Sequence, residues 1–484
     1  MNKLIIKNYI FYLGNLMLDL LFPLLLSPYI TRVLGAEKIG TVNLANSVSA
    51  WFVLIVAFGI PMYGIREVAK VKNNKEELGK VFSELFILRV IMTIIGVCIF
   101  IIFLLAVPKF RNEPILYIGM ILNLLLYIFS VDWFFQGIEK YQYLTIRNLL
   151  FKTITFVLTI LLIKNSSNYI IYAYIQVLSL ALFNMINFIS CKKYVNIKFK
   201  EISVLKHFKK LKVFFIAALV TSTYTIFDSI VVGFMLDESS LAFYSRARQV
   251  IAMGLTLTLS LSTVLIPRIS YLYDSDNKEE FKNTLIKSFK YILMISIPLG
   301  LGITILSKEI MYFFGGDEFI AGSNVMMVMA FIVVFDSIYT WTINQILVPT
   351  GNEKNALFIQ ILMAISNLSL NFILISKFGV IGAAYSILLT EIIGALVGIF
   401  TVRKIITLRG KKIYIQKYLL SGIAMSGFIL FIKDRINNNL ASLIVCGILG
   451  SSIYFIVLII LKEDSLFEVI RLANNKFVKK DKLI

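Results

Sequence analysis

The stretch FSELFILRVIMTIIGVCIFIIFLLAV (82–107) decides the fold. A helix rising ~1.5 Å per residue needs ~20 mostly apolar residues to cross a hydrocarbon core of ~30 Å, and this run exceeds that. No water reaches such a core, so backbone N–H and C=O groups must pair within the segment, and it reads as a transmembrane helix. It is too long and continuous for barrel strands of ~10 alternating residues. Outward from it, windows of the same kind lie at 8–30, 41–65, 114–137, 144–163, 168–190, 211–236, 246–267, 287–307, 324–349, 356–376, 380–402, 414–432 and 441–461. The expected fold is therefore an all-α integral membrane protein with about fourteen transmembrane spans, numbered here in chain order. Span 1 follows Met1-Asn2-Lys3 with no small-residue cleavage site behind it, so it is expected to be retained and not removed as a signal.

Composition agrees. Of 484 residues, 58% are apolar and 16% charged, against about a quarter charged in a soluble domain. The net charge of +20 suggests nucleic acid until its placement is considered. Most Lys and Arg fall at the termini and in the even-numbered connections, which places both termini in the cytoplasm. The densest run, KKYVNIKFKEISVLKHFKKLK (192–212), carries eight Lys and reads as an anchor on anionic headgroups. No second feature supports a nucleic-acid partner. Cys98, Cys191 and Cys446 are far apart and show neither a paired framework nor metal-ligand spacing. The single histidine, His207, sits in the basic linker, so zinc or catalytic chemistry built on histidine has no material, and no metal or cofactor is expected. A phosphate-binding G-x-x-x-x-G-K-[ST] run is absent, which leaves an H⁺ or Na⁺ gradient, or the substrate's own, to drive transport.

The chain repeats. LGAEKIGTVNLANSV (34–48) corresponds to LDESSLAFYSRARQV (236–250) at a constant offset of 202. GIEK (137–140) matches GNEK (351–354) at 214, after spans 4 and 10. Six spans in each half make a parallel repeat, related by an axis along the membrane normal. The expected domains are an N-lobe at 1–200 (spans 1–6), a C-lobe at 201–410 (spans 7–12), two peripheral spans at 411–462 and a basic cytoplasmic tail at 463–484. Two pseudo-symmetric six-helix bundles that rock about a central cavity make a transporter architecture.

Ionisable groups inside spans are costly and are functional candidates for that reason. They are Asp19, Arg89, Asp132, Asp228, Asp336 and Glu391. Several lie on polar stripes at helical spacing: Asn8, Tyr12, Asn15 and Asp19; Thr221, Thr225 and Asp228; Asp336, Thr340 and Asn344. Two readings stand side by side, cavity acids for substrate or cation coupling, and buried pairs that lock packing, such as Arg89 with Asp132 or Asp19. Arg32, Arg246 and Arg248 lie at outer span ends, and Arg66 and Arg268 at inner ones. Guanidinium matches phosphate oxygens bidentately, whereas snorkelling to the interface accounts for each one singly. Pro23, Pro28, Pro61 and Pro298 are candidate bending points. The tail SLFEVIRLANNKFVKKDK (465–482) has apolar and basic faces suited to lie along the headgroups.

Four segments, PYITRVLGAEKIGTVNLANSV (28–48), GIPMYGIREVAK (59–70), WFFQGIEKYQYLTIRNLLFK (133–152) and STVLIPRIS (262–270), resemble the Wzx-type polysaccharide flippases of the multidrug/oligosaccharidyl-lipid/polysaccharide (MOP) exporter superfamily. The resemblance covers essentially the whole chain and implies a MOP/MATE-like fold. It implies that an undecaprenyl-pyrophosphate oligosaccharide passes from the cytoplasmic to the outer leaflet of a bacterial plasma membrane by alternating access through a cationic cavity, for export of capsule or another surface polysaccharide. The residues matching its motifs are Arg32, Arg66, Gln136, Arg147 and Arg268. The expected partners are that lipid, the bilayer, and a polysaccharide polymerase with other assembly proteins. A cation-coupled multidrug exporter of the same superfamily is one alternative. A membrane glycosyltransferase or polymerase is another, although its outer loop should be much longer than 308–322.

Overall fold

A computed structural model of the chain describes residues 3–195, 203–275, 277–405, 414–468 and 471. Among these the secondary structure is helical, with no strand. Part of the basic linker and most of the 465–482 tail lie outside the described residues. The chain divides into two compact units, Met1–Ala242 and Phe243–Ile484.

The first unit holds α1 (Lys3–Ala57), α2 (Ile60–Val71), α3 (Lys75–Ala106), α4 (Pro114–Leu126), α5 (Asp132–Gly137), α6 (Tyr141–Leu162), α7 (Tyr169–Cys191), α8 (Leu205–Thr225) and α9 (Phe227–Met235). The second holds most of α10 (Glu238–Asp274), then α11 (Lys278–Ile305), α12 (Ser307–Gly315), α13 (Ser323–Met329), α14 (Ile332–Trp341), α15 (Glu353–Ile405), α16 (Ile415–Lys433) and α17 (Asn439–Ile460).

Ten stretches among the described residues are long and apolar enough to cross a membrane. Two of them are too long for one crossing. The 55 residues of α1 would reach about 80 Å if straight, well beyond a ~30 Å core. The helix turns instead at Gly35 (φ 75°, ψ 170°), and α15 turns at Gly379 (φ 60°, ψ −140°). Both conformations lie near a region that essentially only glycine occupies. Spans 1 and 2 therefore share α1, and spans 11 and 12 share α15. Span 7 is the α8–α9 pair, bent by 44°, and span 8 is α10. The protein is a multi-pass membrane protein.

Breaks elsewhere shape the bundles. The chain leaves α1 at Phe58-Gly59, and Pro61 sits in the first turn of α2, where its missing N–H costs nothing. Pro61 thus starts a helix and does not bend one. Span 4 breaks between α4 and α5 through a 3₁₀ turn at Tyr127–Phe129. Span 10 contains a π-helical turn at Thr342–Leu347.

In the first unit α1 lies along α3, α4 and α6, and α2 packs on α3 and α5. The core at the end that bears the basic linker is aromatic. It gathers Tyr63, Phe82, Trp133, Phe134 and Phe135, with Phe82 stacked on Trp133 at 5.7 Å. Two of the segments that carry the family resemblance, 59–70 and 133–152, thus meet in one core. In the second unit α16 and α17 form a hairpin on α11. Tyr418 donates to Glu463 (2.8 Å), and the other Glu463 oxygen accepts the Leu466 N–H (2.9 Å), which fixes where the chain turns after α17.

Candidate functional site

The helical spacing that made Asn15 and Asp19 a stripe on α1 is answered by a stripe on α6. Thr145 donates to the Phe11 carbonyl (2.8 Å), Asn148 donates to Asn15, and Lys152 forms an ion pair with Asp19. The side chains of Asn8 and Tyr12 lie outside the described residues. Sequence reasoning missed Lys152, whose only signal is its position seven residues after Thr145 on the same face. The Asp19 side chain is 52% exposed on the isolated chain, so this seam carries charge at the unit's surface.

Asp132 opens α5, and its carboxylate accepts two bonds from Arg147 Nη2 (3.2 and 3.3 Å) and one from buried Asn187. The guanidinium also lies over the Phe183 ring at 3.4 Å. Asp132 is thus a packing pair that joins α5, α6 and α7, with Arg147 as partner and not Arg89. The suggested pairing of Arg89 with Asp19 fails as well, because Asp19 is taken by Lys152. Arg89 is buried, with 2% exposure, and donates to the Tyr127 and Ser130 carbonyls (3.5 and 3.3 Å) while lying over the Tyr127 ring. Those carbonyls end α4, where a cation offsets the negative end of the helix dipole. The acid that starts α5 suits the positive end of that helix. The break in span 4 is therefore held by one charge on each side.

In the second unit Arg246 donates to Gln249 and lies over Phe314. Arg248 donates to the Tyr244 hydroxyl (3.3 Å) and acts electrostatically on Asp336, which accepts a bond from Thr340 (3.0 Å). The fold thus brings together two candidates found 88 residues apart in the sequence. Glu391 is buried on α15. On the same helix, Asn371 donates to Asn367 (3.2 Å) and Ser386 donates to the Asn367 carbonyl (3.2 Å), so a buried polar ladder joins its two arms. Neither asparagine stood out in the sequence. Asp228, also buried, sits in the first turn of α9.

The remaining candidates lie apart. Arg32 and Arg66 are exposed, and Gln136 is half-buried near the end of α5. Arg268 is paired with Glu280 at the start of α11. A largely apolar cavity of ≈340 Å³ in the second unit is lined by Met294, Pro298, Ile303, Met425, Cys446 and Tyr454, among others.

Residues 5–273, more than half of the chain, match the family model described as "Polysaccharide biosynthesis protein". The chain belongs to the polysaccharide biosynthesis protein family. A second model, MatE, matches residues 214–373. A relative from Shigella dysenteriae named "Putative O-antigen transporter" is 25% identical over 77% of this chain and 93% of its own. Among solved structures, one titled "Lipid II flippase MurJ, inward closed conformation" is similar at a TM-score of 0.70 and 20% identity, covering 95% of this chain and 99% of that one. Another is an inward-facing multidrug resistance MATE family transporter of the MOP superfamily, at 0.65 and 15% identity, over 81% and 94%. This member of the polysaccharide biosynthesis family therefore has the MOP-like fold that the resemblance implied.

Proposed function

We propose that the chain flips a lipid-linked oligosaccharide, carried on undecaprenyl pyrophosphate, from the cytoplasmic to the outer leaflet of a bacterial plasma membrane. The observation that carries this is family membership over a chain whose spans hold arginines as well as acids, with Arg248 acting electrostatically on Asp336. Guanidinium forks suit a pyrophosphate, and long apolar spans offer the polyprenyl tail a lipid path. The name of the Shigella dysenteriae relative, "Putative O-antigen transporter", supports the same substrate class. In this reading Arg32, Arg246 and Arg248 receive the headgroup on the outer side, and Arg66 and Arg268 on the inner side. Gln136 lines the route in the first unit, and Arg89, buried at the break in span 4, shapes that route from behind. Two bundles alternate access with both termini in the cytoplasm, and Asp19, Asp228, Asp336 and Glu391 couple the step to H⁺ or Na⁺. Delivery to a polymerase and its assembly partners follows.

The deciding experiment depletes the protein and assays lipid-linked oligosaccharide leaflet by leaflet. Cytoplasmic-leaflet accumulation is expected, and unchanged outer delivery sinks the proposal. Single Arg→Gln changes at 32, 246 and 248 test the outer contacts. Each true contact should lower flipping by about tenfold, the equivalent of ~1.4 kcal/mol, at normal expression. A cation-coupled drug exporter is the second reading, favoured by the MatE match at 214–373. It predicts drug sensitivity on depletion with no change in the glycolipid.

A further inference from the structure

Glu84 lies only two residues into the apolar run that defines span 3, and the fold makes it a keystone. Its carboxylate is fully buried. Its Oε2 lies 2.7 Å from Lys206 Nζ and 2.9 Å from His207 Nε2, and its Oε1 accepts the Ser203 N–H at 3.1 Å. The other ring nitrogen of His207 is 2.7 Å from the Tyr63 hydroxyl. One acid on α3 thus binds the Ser203 N–H just before α8 and two side chains in its first turn, and α2 closes the chain of bonds.

Packing repeats the message. The Phe58 ring lies 5.2 Å from that of Phe208 and 4.8 Å from that of Phe215. Gly59, at φ 73°, approaches α8 so closely that a Cβ there would fall 2.8 Å from Phe214 Cβ and the Phe215 nitrogen. Leu211 is fully buried in the same core as Tyr63, Phe82 and Trp133. By the sequence repeat, however, α8 opens the second half of the chain.

We propose that the Leu205–Phe215 part of α8 moves as a member of the first unit throughout transport, with Glu84 as the positioning residue that holds it there. The proposal rests on the alternating-access reading. Its physical ground is that a buried carboxylate stripped of its lysine and hydrogen-bond donors is strongly penalised, and a core packed at backbone contact opens only at the cost of the whole cluster. The mobile boundary therefore falls beyond Phe215, outside the basic linker that separates the repeats.

The test uses the full chain with Cys98, Cys191 and Cys446 replaced by Ala. Spin labels on Lys75→Cys and Lys209→Cys should give one narrow distance in liposomes, with or without undecaprenyl-pyrophosphate oligosaccharide. A second population or a shift overturns the proposal. Phe58→Cys and Phe208→Cys, joined by a short cleavable bis-thiol reagent, should flip lipid as well as the unjoined protein. Loss of flipping that returns on cleavage also overturns it. Glu84→Gln should reduce flipping about tenfold at unchanged membrane abundance, and the 58–208 link should restore it, which a mere folding defect would not allow. Full flipping by Glu84→Gln without the link removes Glu84 from the role. If the parent chain flips nothing, the flippase reading falls, and the spin-label distances still decide whether α8 stays with the first unit.

Discussion

Asp132 and Arg147 show how one pair can serve three helices. The Arg147 guanidinium is 5% exposed, whereas the Asp132 carboxyl is 37% exposed, so the two partners should not cost the same to remove. Asp132→Asn leaves the buried Arg147 guanidinium without its counter-charge and should destabilise the detergent-solubilised protein by about 3–5 kcal/mol, with Arg147→Gln, which strands only a partly exposed carboxylate, costing less on the electrostatic side. The double variant should cost less than the sum of the two, as read by thermal unfolding in a double-mutant cycle. Strict additivity would mean that the pair is incidental. A second residue-scale prediction concerns Lys152→Gln, which leaves Asp19 without its cation. If Asp19 is a coupling acid, this change and Asp19→Asn should both alter the dependence of flipping on the proton or sodium gradient. If the dependence is unchanged in both, the seam is structural. The acids were legible in the sequence because a charge in an apolar run stands out. Their partners were not, because Arg147 lies one helix beyond Asp132 and Lys152 several helices beyond Asp19, a separation that periodicity does not bridge. Glu84 escaped because it stands only two residues inside its apolar run, where an acid reads as interfacial, and its partner His207 read only as part of a basic linker.

At the scale of elements, the apolar windows were readable as helices, although some helices run up to nine residues past them, and the joints between them were not. Hydropathy marks where a chain is buried in lipid but says nothing of whether two spans form one long helix bent at a single residue. Gly35 and Gly379 are such joints. Alanine at either position must take up a glycine conformation, so Gly35→Ala and Gly379→Ala should each cost about 1–3 kcal/mol in unfolding measurements. An unaffected stability would mean that the turn relaxes to another geometry. The same limit explains Pro61. A proline in an apolar run suggested a bend, but the backbone had already turned at Phe58-Gly59, and the ring serves as a first helical residue.

For the whole molecule, the repeat and the charge asymmetry together yield a topology that can be checked directly. On intact cells a membrane-impermeant thiol reagent should label Asn165→Cys, in a connection expected outside, and spare Glu139→Cys, in one expected inside. The reverse pattern would invert the orientation. The repeat was visible in two short strings, but its offset grows from 202 to 214 between them. Loop length accounts for most of that drift. The π-helical turn at Thr342–Leu347 contributes in another currency. Its bonds reach five residues back, as from the Val348 N–H to the Ile343 carbonyl (3.0 Å), so the segment carries one residue more than an α-helix of the same course. Each residue turns a helix by ~100°, so the turn sets how Gln345, which accepts from Ser288, stands relative to Trp341, which donates to the same hydroxyl. Deleting one residue from the turn should therefore restore a plain helix while rotating everything after it, which makes this a place where evolution could retune one half of the transporter without disturbing the other.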